Sequence, residues 1–303
     1  MERPSDIFDH VLRSQLLKKS NARALGLLLS TWAVIFGVLW LAGTYPNPAT
    51  IILALVVLPG RQLSLAVLMH EGGHGSLFRS QWANQWVVQW FCALPTLGDL
   101  ESYARGHAAH HRLAGTENDP DLPNYQAYPV SRDSFRRKVI RDLTGQTGFK
   151  LVSAVFLGAT GIVGDGQRQG FALLLKQIAA QVAVWTLLTA LGVGWTWWLW
   201  FASFMTGYML IIRLRQIAEH AAVPDLMDLD PRLNTRTVVA PAWQHFLLAP
   251  SYVNYHMEHH YMPGVPCYRL PLLRAALLAR GLLDDVIQDT DYGQVFRRVV
   301  RAS

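Results

Sequence analysis

Residues 24–42 read ALGLLLSTWAVIFGVLWLA, 19 residues without a charged side chain. At 1.5 Å per residue a helix of this length crosses a hydrocarbon core of about 30 Å, so the stretch predicts a membrane span. Arg3, Arg13, Lys18, Lys19 and Arg23 precede it, and no small-residue cleavage site follows its apolar core. It reads as an uncleaved anchor that leaves the N-terminus in the cytoplasm.

The turn Tyr45-Pro-Asn-Pro48 carries no charge and leads into ATIILALVVLPG at 49–60, which continues to Met69. A second uncharged pair follows at 177–193 and 194–212, with Gly192 and Gly194 at its bend and Trp195, Trp197 and Trp198 placed like an interfacial aromatic belt. These readings predict four spans in two hairpins, at about 24–42, 47–69, 174–193 and 194–215. Neither hairpin turn holds a Lys or Arg, whereas the middle holds Arg112, Arg132, Arg136, Arg137, Lys138, Arg141 and Lys150. The positive-inside rule then puts both termini and the long middle on the cytoplasmic side. Residues 82–97 and 151–163 are apolar but short, and read as interfacial or buried segments.

Composition agrees. Of 303 residues, 51% are hydrophobic and only 16% charged, against roughly 25% in soluble domains. The net charge of +6 fits a positive-inside membrane protein better than a nucleic-acid binder. Two cysteines are too few for a thiolate metal site. The chain is expected to be all-α, one domain over residues 1–303, with a cytosolic helical cap from about 70–170 and 216–303.

Eleven histidines include nine in four short clusters. His70-Glu-Gly-Gly-His74 puts two rings on one helix face, and His107-Ala-Ala-His110-His111 and His256-Met-Glu-His259-His260 are spaced for i, i+3 and i+4 to converge. His220 shares a helix face with Gln216. Arg61 and Arg213 are costly in hydrocarbon and belong at the cytoplasmic interface. His70 and His220, nine and seven residues further on, then stand roughly 10–14 Å above it. One structural zinc takes four ligands, so nine imidazoles on one side of a membrane suit two metal ions, although imidazole alone does not choose the metal.

The order H-x3-H, H-x2-HH, a lone His at the end of the fourth span, and H-x2-HH resembles the integral-membrane fatty acid desaturase family, whose superfamily also holds membrane hydroxylases and carotenoid ketolases. The resemblance covers about residues 70–266 and implies two irons in a cytosolic cap over four spans. Their ligands would be His70, His74, His107, His110, His111, His220, His256, His259 and His260. Gln216 stands where the stearoyl-CoA type has an Asn that holds a metal-bound water. Asn118-Asp-Pro-Asp121, Asn254-Tyr-His256 and Pro263-Gly-Val-Pro266 are similar to the bacterial acyl-lipid members. Turn chemistry also accounts for Asp119, Asp121 and Pro263. Glu71, Glu219, Glu258 and Asn254 adjoin His ligands and are candidates to orient them, although immediate helix neighbours face different ways.

Cutting an unactivated C–H bond needs a redox metal that activates dioxygen. The resemblance therefore implies an O2-dependent di-iron oxidoreductase that desaturates an acyl chain presented as an acyl-lipid or acyl-thioester in a bacterial inner membrane. A hydroxylase or ketolase of an acyl, alkyl or carotenoid substrate is the alternative. Channel walls are expected from Trp82, Trp86, Trp90, Tyr103, Trp243 and Tyr252. No haem, flavin or nicotinamide motif is present, so electrons are expected from a separate ferredoxin or cytochrome b5 type donor with its reductase, docking near the basic run 132–141. His70-Glu71-Gly-Gly-His74 also matches the H-E-x-x-H of zinc proteases with Glu71 as base, but that reading leaves seven clustered histidines unexplained. A metal transporter would need polar ligands inside the spans, which almost lack them.

Overall fold

A computed structural model describes residues 7–160, 167–284 and 286–301, and the chain is mostly helical. A short helix α1 (His10–Leu16) leads to α2 (Asn21–Thr44), capped by Ser20, whose hydroxyl accepts from the Arg23 amide. The turn ends at Asn47, whose side chain accepts from Ala49 and Thr50 while the Thr50 hydroxyl returns to the Asn47 amide. With Pro48 in the first turn this reciprocal cap starts α3 (Pro48–Gly73). The two helices form the first predicted hairpin, joined across their faces by Thr31 Oγ1 and Ser64 Oγ at 2.9 Å.

After α3 the apolar stretch from residue 82 winds as two π-helical turns, Ala83–Val87 and Gln89–Ala93, and a 3-10 turn, Leu94–Thr96. It stops at Leu97, whose backbone is left-handed. Asp99 then caps α4 (Leu100–Leu113) through the Ser102 amide. Beyond it, α5 (Arg132–Leu143) and α6 (Gln146–Thr160) precede α7 (Gln167–Ala190). The apolar stretch predicted at 151–163 falls within α6 up to Thr160, and its last three residues lie outside the described ones. Gly170 brings α7 close to α6, because a Cβ there would stand 2.5 Å from the Gly158 carbonyl oxygen.

The fourth predicted span is α8 (Trp197–Ser203), a π-helical turn (Phe204–Tyr208) and α9 (Met209–His220), end to end. The π turn lies against Pro59 of α3. A Cβ on Gly207 would come within 2.6 Å of that proline ring, so glycine lets the second hairpin reach the first where Pro59 interrupts it. By length and composition three segments can cross a membrane, His10–Thr44, Pro48–Gly73 and Gly170–Ala190. Leu29, Ile52 and Leu187 are among the large apolar side chains they turn outward, as a lipid-facing surface does.

The C-terminal third consists of short pieces: α10 (Pro231–Asn234), α11 (Ala242–Leu247), α12 (His256–Tyr261), α13 (Leu270–Leu278) and α14 (Tyr292–Val299). The all-α expectation needs a small amendment here. Strands β1 (Val130–Ser131) and β4 (Val300–Arg301) pair in parallel, as do β2 (Thr237–Val238) and β3 (Gln288–Asp289). Each is two residues long and stitches the tail to earlier residues without forming a sheet core. A fully buried pair, Arg236 and Asp289 at 3.1 Å, fixes the same junction, and Arg236 also donates to the carbonyls of Ala218, Ala221 and Ala222 at the end of α9. Those are the groups a helix C-terminus leaves unpaired, so Arg236 closes the helix that ends in His220.

Arg213 pairs with the buried Asp142 of α5. Arg61 lies under the α11 segment, its guanidinium over the Phe246 ring at 4.3 Å.

Candidate metal centre

The nine histidines of the sequence reading come from four helices: α3 ends in His70 and His74, α4 in His107, His110 and His111, α9 in His220, and α12 carries His256, His259 and His260. Their nitrogens gather into two groups rather than one. His70, His74, His107, His111 and His259 form the first, and His110, His220, His256 and His260 the second, with one nitrogen from each member within 4.8 Å of the others. The clusters do not each converge as units. Every i, i+4 pair stays in one group, 70 with 74, 107 with 111 and 256 with 260, because four residues bring side chains back to the same helix face. The i+3 residue goes to the other group, His110 to the second and His259 to the first. The groups adjoin, with the His111 and His260 rings stacked at 4.2 Å across their boundary.

Three outer ring nitrogens have acceptors, while His259 Nδ1 is buried without one. His70 Nδ1 lies 3.1 Å from Glu71 Oε1, His110 Nδ1 2.8 Å from Asp119 Oδ1, and His220 Nδ1 3.3 Å from the Asn234 carbonyl. Each partner accepts, so each Nδ1 carries the proton and Nε2 keeps its lone pair. Asp119 accepts in turn from the Tyr125 hydroxyl, and Tyr125 stacks on His220 at 4.7 Å. Burial raises the Asp119 carboxyl, but the hydrogen bonds from His110, Tyr125 and the Asp121 amide outweigh it and hold it below its ordinary value. His256 Nδ1 faces Glu219 Oε1 at 3.6 Å. Burial pushes that carboxyl up to about 7 against the pull of Arg215, which donates to it at 2.6 Å.

The inner nitrogens fit metal. His70, His74 and His260 each present a buried Nε2 with no hydrogen-bond partner. His107 and His259 bring Nε2 to 2.9 Å from His111 Nε2, and His256 Nε2 is 2.8 Å from His220 Nε2. A metal–nitrogen bond of about 2.1 Å puts neighbouring ligand atoms about 3 Å apart, so these spacings suit ligands of a common ion. Burial, reinforced by neighbouring imidazoles, lowers His111 to about 3 and holds His107, His220, His256, His259 and His260 well below their ordinary range. Neutral rings with converging lone pairs repel one another unless a cation lies between them. Two ions, one per group, satisfy the set.

Of the other sequence candidates, Gln216 lines a cavity of about 260 Å³ with His107, His110, His220 and His256. Glu71 spends Oε2 on the Ser76 hydroxyl and the Cys267 amide, both at 2.8 Å, and is buried. A carboxylate tied at both oxygens has no free edge to activate a water, so the zinc-protease reading loses its base. Glu258 turns away from the imidazoles and accepts from Arg274 and Thr237, and the Asn254 amide donates to the Val238 carbonyl. Asp119, read from sequence as a turn residue, orients His110. The expected channel walls separate: Trp82 stacks on Trp86, which meets Trp90 at a tilt of 41°, Tyr103 stacks on His107, Tyr252 lines a cleft beside His256 and His259, and Trp243 is exposed.

Comparison with known proteins agrees with this geometry. A beta-carotene ketolase of Paracoccus sp. (strain PC1) is 28% identical over 82% of this chain and 89% of its own length. A sphingolipid delta(4)-desaturase of Komagataella phaffii (strain GS115 / ATCC 20864) is 25% identical over 73% of this chain, which spans 60% of that protein. Residues 45–287, containing every one of the nine histidines, match the fatty acid desaturase family, and the chain belongs to it.

Proposed function

We propose that the protein is an O2-dependent di-iron oxidoreductase that desaturates a fatty acyl chain of a lipid. The observation that carries this reading is the division of nine imidazoles into two adjoining groups with their lone pairs turned inward. Bound iron would supply the oxidising power to take hydrogen from a methylene, which no side chain here can do. The residues do the rest. His70, His74, His107, His111 and His259 hold one ion, and His110, His220, His256 and His260 the other. Glu71, Asp119 and the Asn234 carbonyl keep the proton on Nδ1 of their histidines, and Gln216 positions a water at the four-histidine group.

Four spans in two hairpins carry the site on the cytoplasmic side of a bacterial inner membrane, both termini included. The helical run from Trp197 to Arg215 serves as the fourth span. Electrons come from a separate donor of ferredoxin or cytochrome b5 type, with the exposed arginines of α5 as its docking face. The second reading, a hydroxylase or ketolase, is favoured by the likeness to a beta-carotene ketolase.

Metal content of detergent-purified protein tests the first part, with two irons per chain expected. Mass analysis of lipids from cells with and without the gene tests the second. A product lacking two hydrogens supports desaturation, and one that has gained oxygen replaces it with the second reading. One zinc and unchanged lipids would remove both.

A further inference from the structure

Among the described arginines, Arg61 differs from its buried counterparts. The other buried arginines, Arg236 and Arg274, face Asp289 and Glu258, and the half-buried Arg213 and Arg215 face Asp142 and Glu219. Arg61 is only 8% exposed, and no described carboxylate lies within ion-pair distance of it. Its Nη2 donates to the Phe246 carbonyl, while Nε is buried without a hydrogen-bond partner. Taking a cation out of water is costly unless an anion or a full set of acceptors replaces the solvent.

The space beside Arg61 is built to supply one. A cavity of about 370 Å³ lies between α2, α3 and residues 245–255, with Arg61, His245 and the hydroxyls of Ser30, Thr31, Ser64 and Ser251 in its wall. Ser64 Oγ stands 2.9 Å from Thr31 Oγ1 and 2.8 Å from Ser251 Oγ, and Thr31 donates to the Leu27 carbonyl, so the hydroxyls spend their protons on one another and on the backbone, and Arg61 Nε remains the donor without an acceptor. Ser251, Tyr252 and Tyr255 also line the narrow cleft that ends on His70, His256 and His259. Ser251 and Tyr252 have φ of 55° and 66°, consecutive left-handed residues that carry a side chain. Such strain persists only where the surroundings impose it, and here it forms the wall between cavity and histidines.

We propose that this cavity binds the anionic head, a carboxylate or a phosphate, of an amphiphilic lipid. That this lipid is the one oxidised rests on the oxidase reading above; the binding itself stands on Arg61 and its cavity. A wholly hydrocarbon substrate would leave the arginine unpaired, so the cavity selects an acidic amphiphile. The guanidinium fork matches the paired oxygens of either anion.

The test is equilibrium binding of dodecanoate, dodecyl phosphate and dodecanol to the detergent-purified full chain, followed by native mass spectrometry. At least one anion should bind about tenfold or more tightly than the alcohol, as a charge-assisted hydrogen bond implies. Arg61→Gln should bring all three within about twofold, and Arg61→Lys should keep most of the preference. The tighter anion distinguishes a fatty acid from a phospholipid as source. Equal binding of alcohol and both anions by the wild type overturns the proposal, and so does an unchanged preference in Arg61→Gln. The wild-type comparison decides even if that variant fails to fold. Iron counted on the same preparation reports separately on the oxidase reading, because binding of the head does not require the metal.

Discussion

Five imidazoles converge at one position and four at the other, and the two sets are braced differently. The five-histidine group has more ligands and one anchored outer nitrogen, that of His70 on Glu71. The four-histidine group has fewer ligands and firmer support: His110 on Asp119, which is held by Tyr125, and His220 on the Asn234 carbonyl. It also borders the cavity that contains Gln216. The contrast teaches that ligand number and ligand bracing substitute for one another. A group with a ligand to spare tolerates looser rings, whereas one without a spare needs each ring held.

The largest effect should come from removing ligands unequally. His220→Ala leaves three imidazoles in the smaller group and removes the ligand that comes from α9. Iron should fall from two per chain toward about one, with activity abolished and the protein still folded in detergent. His74→Ala leaves four in the larger group and should retain more of both ions. Equal metal loss in the two variants would show that the groups do not differ in reserve.

Bracing comes next. Asp119→Ala frees His110 Nδ1 and should weaken metal binding at the four-histidine group by about 10–100-fold, measured by competition with a chelator. Glu71→Gln keeps an acceptor oxygen for His70 and should lower affinity less, with residual lipid oxidation. An equal loss from the two variants would mean that the five-histidine group depends on its single anchor as heavily. Tyr125→Phe removes one hydrogen bond to Asp119 and should cost about 1 kcal/mol, read as a lower thermal midpoint in detergent.

Sequence carried the histidines with Glu71 and Glu219 beside them, and missed Asp119, for a physical reason. Histidine spacing is a local property of a helix, so eight rings were legible from i, i+3 and i+4, while the lone His220 was legible only from its place in the order of the motifs. Their division was not, because the side on which an i+3 ring finds its partners depends on which helix packs there. Asp119 reaches His110 only after the chain loops back over nine residues, and the same NDPD stretch is an ordinary turn in isolation. Glu258 shows the converse: it neighbours His259 in sequence, yet successive helix positions diverge, and its partner is Arg274 on another helix. Three long apolar helices were legible from uncharged length, while the π turn at Phe204–Tyr208 was not, since it answers to Pro59 of α3. Arg236 and Asp289, far apart in sequence, were invisible for the same reason.

The smallest predicted effect isolates the cavity from the bracing. Gln216 precedes His220 by one helical turn and so lies on the same face of α9. It lines the cavity with three members of the four-histidine group and only one of the five, His107. A water held there by the amide would complete the smaller group's shell, at about the strength of one water-mediated hydrogen bond. Gln216→Ala should therefore keep both ions and slow turnover about fivefold, as a loss of about 1 kcal/mol implies. Gln216→Asn keeps the amide on a shorter stem and should fall between the two. Wild-type turnover in Gln216→Ala would mean that four imidazoles suffice without it, and the difference between the groups would then lie in their bracing alone.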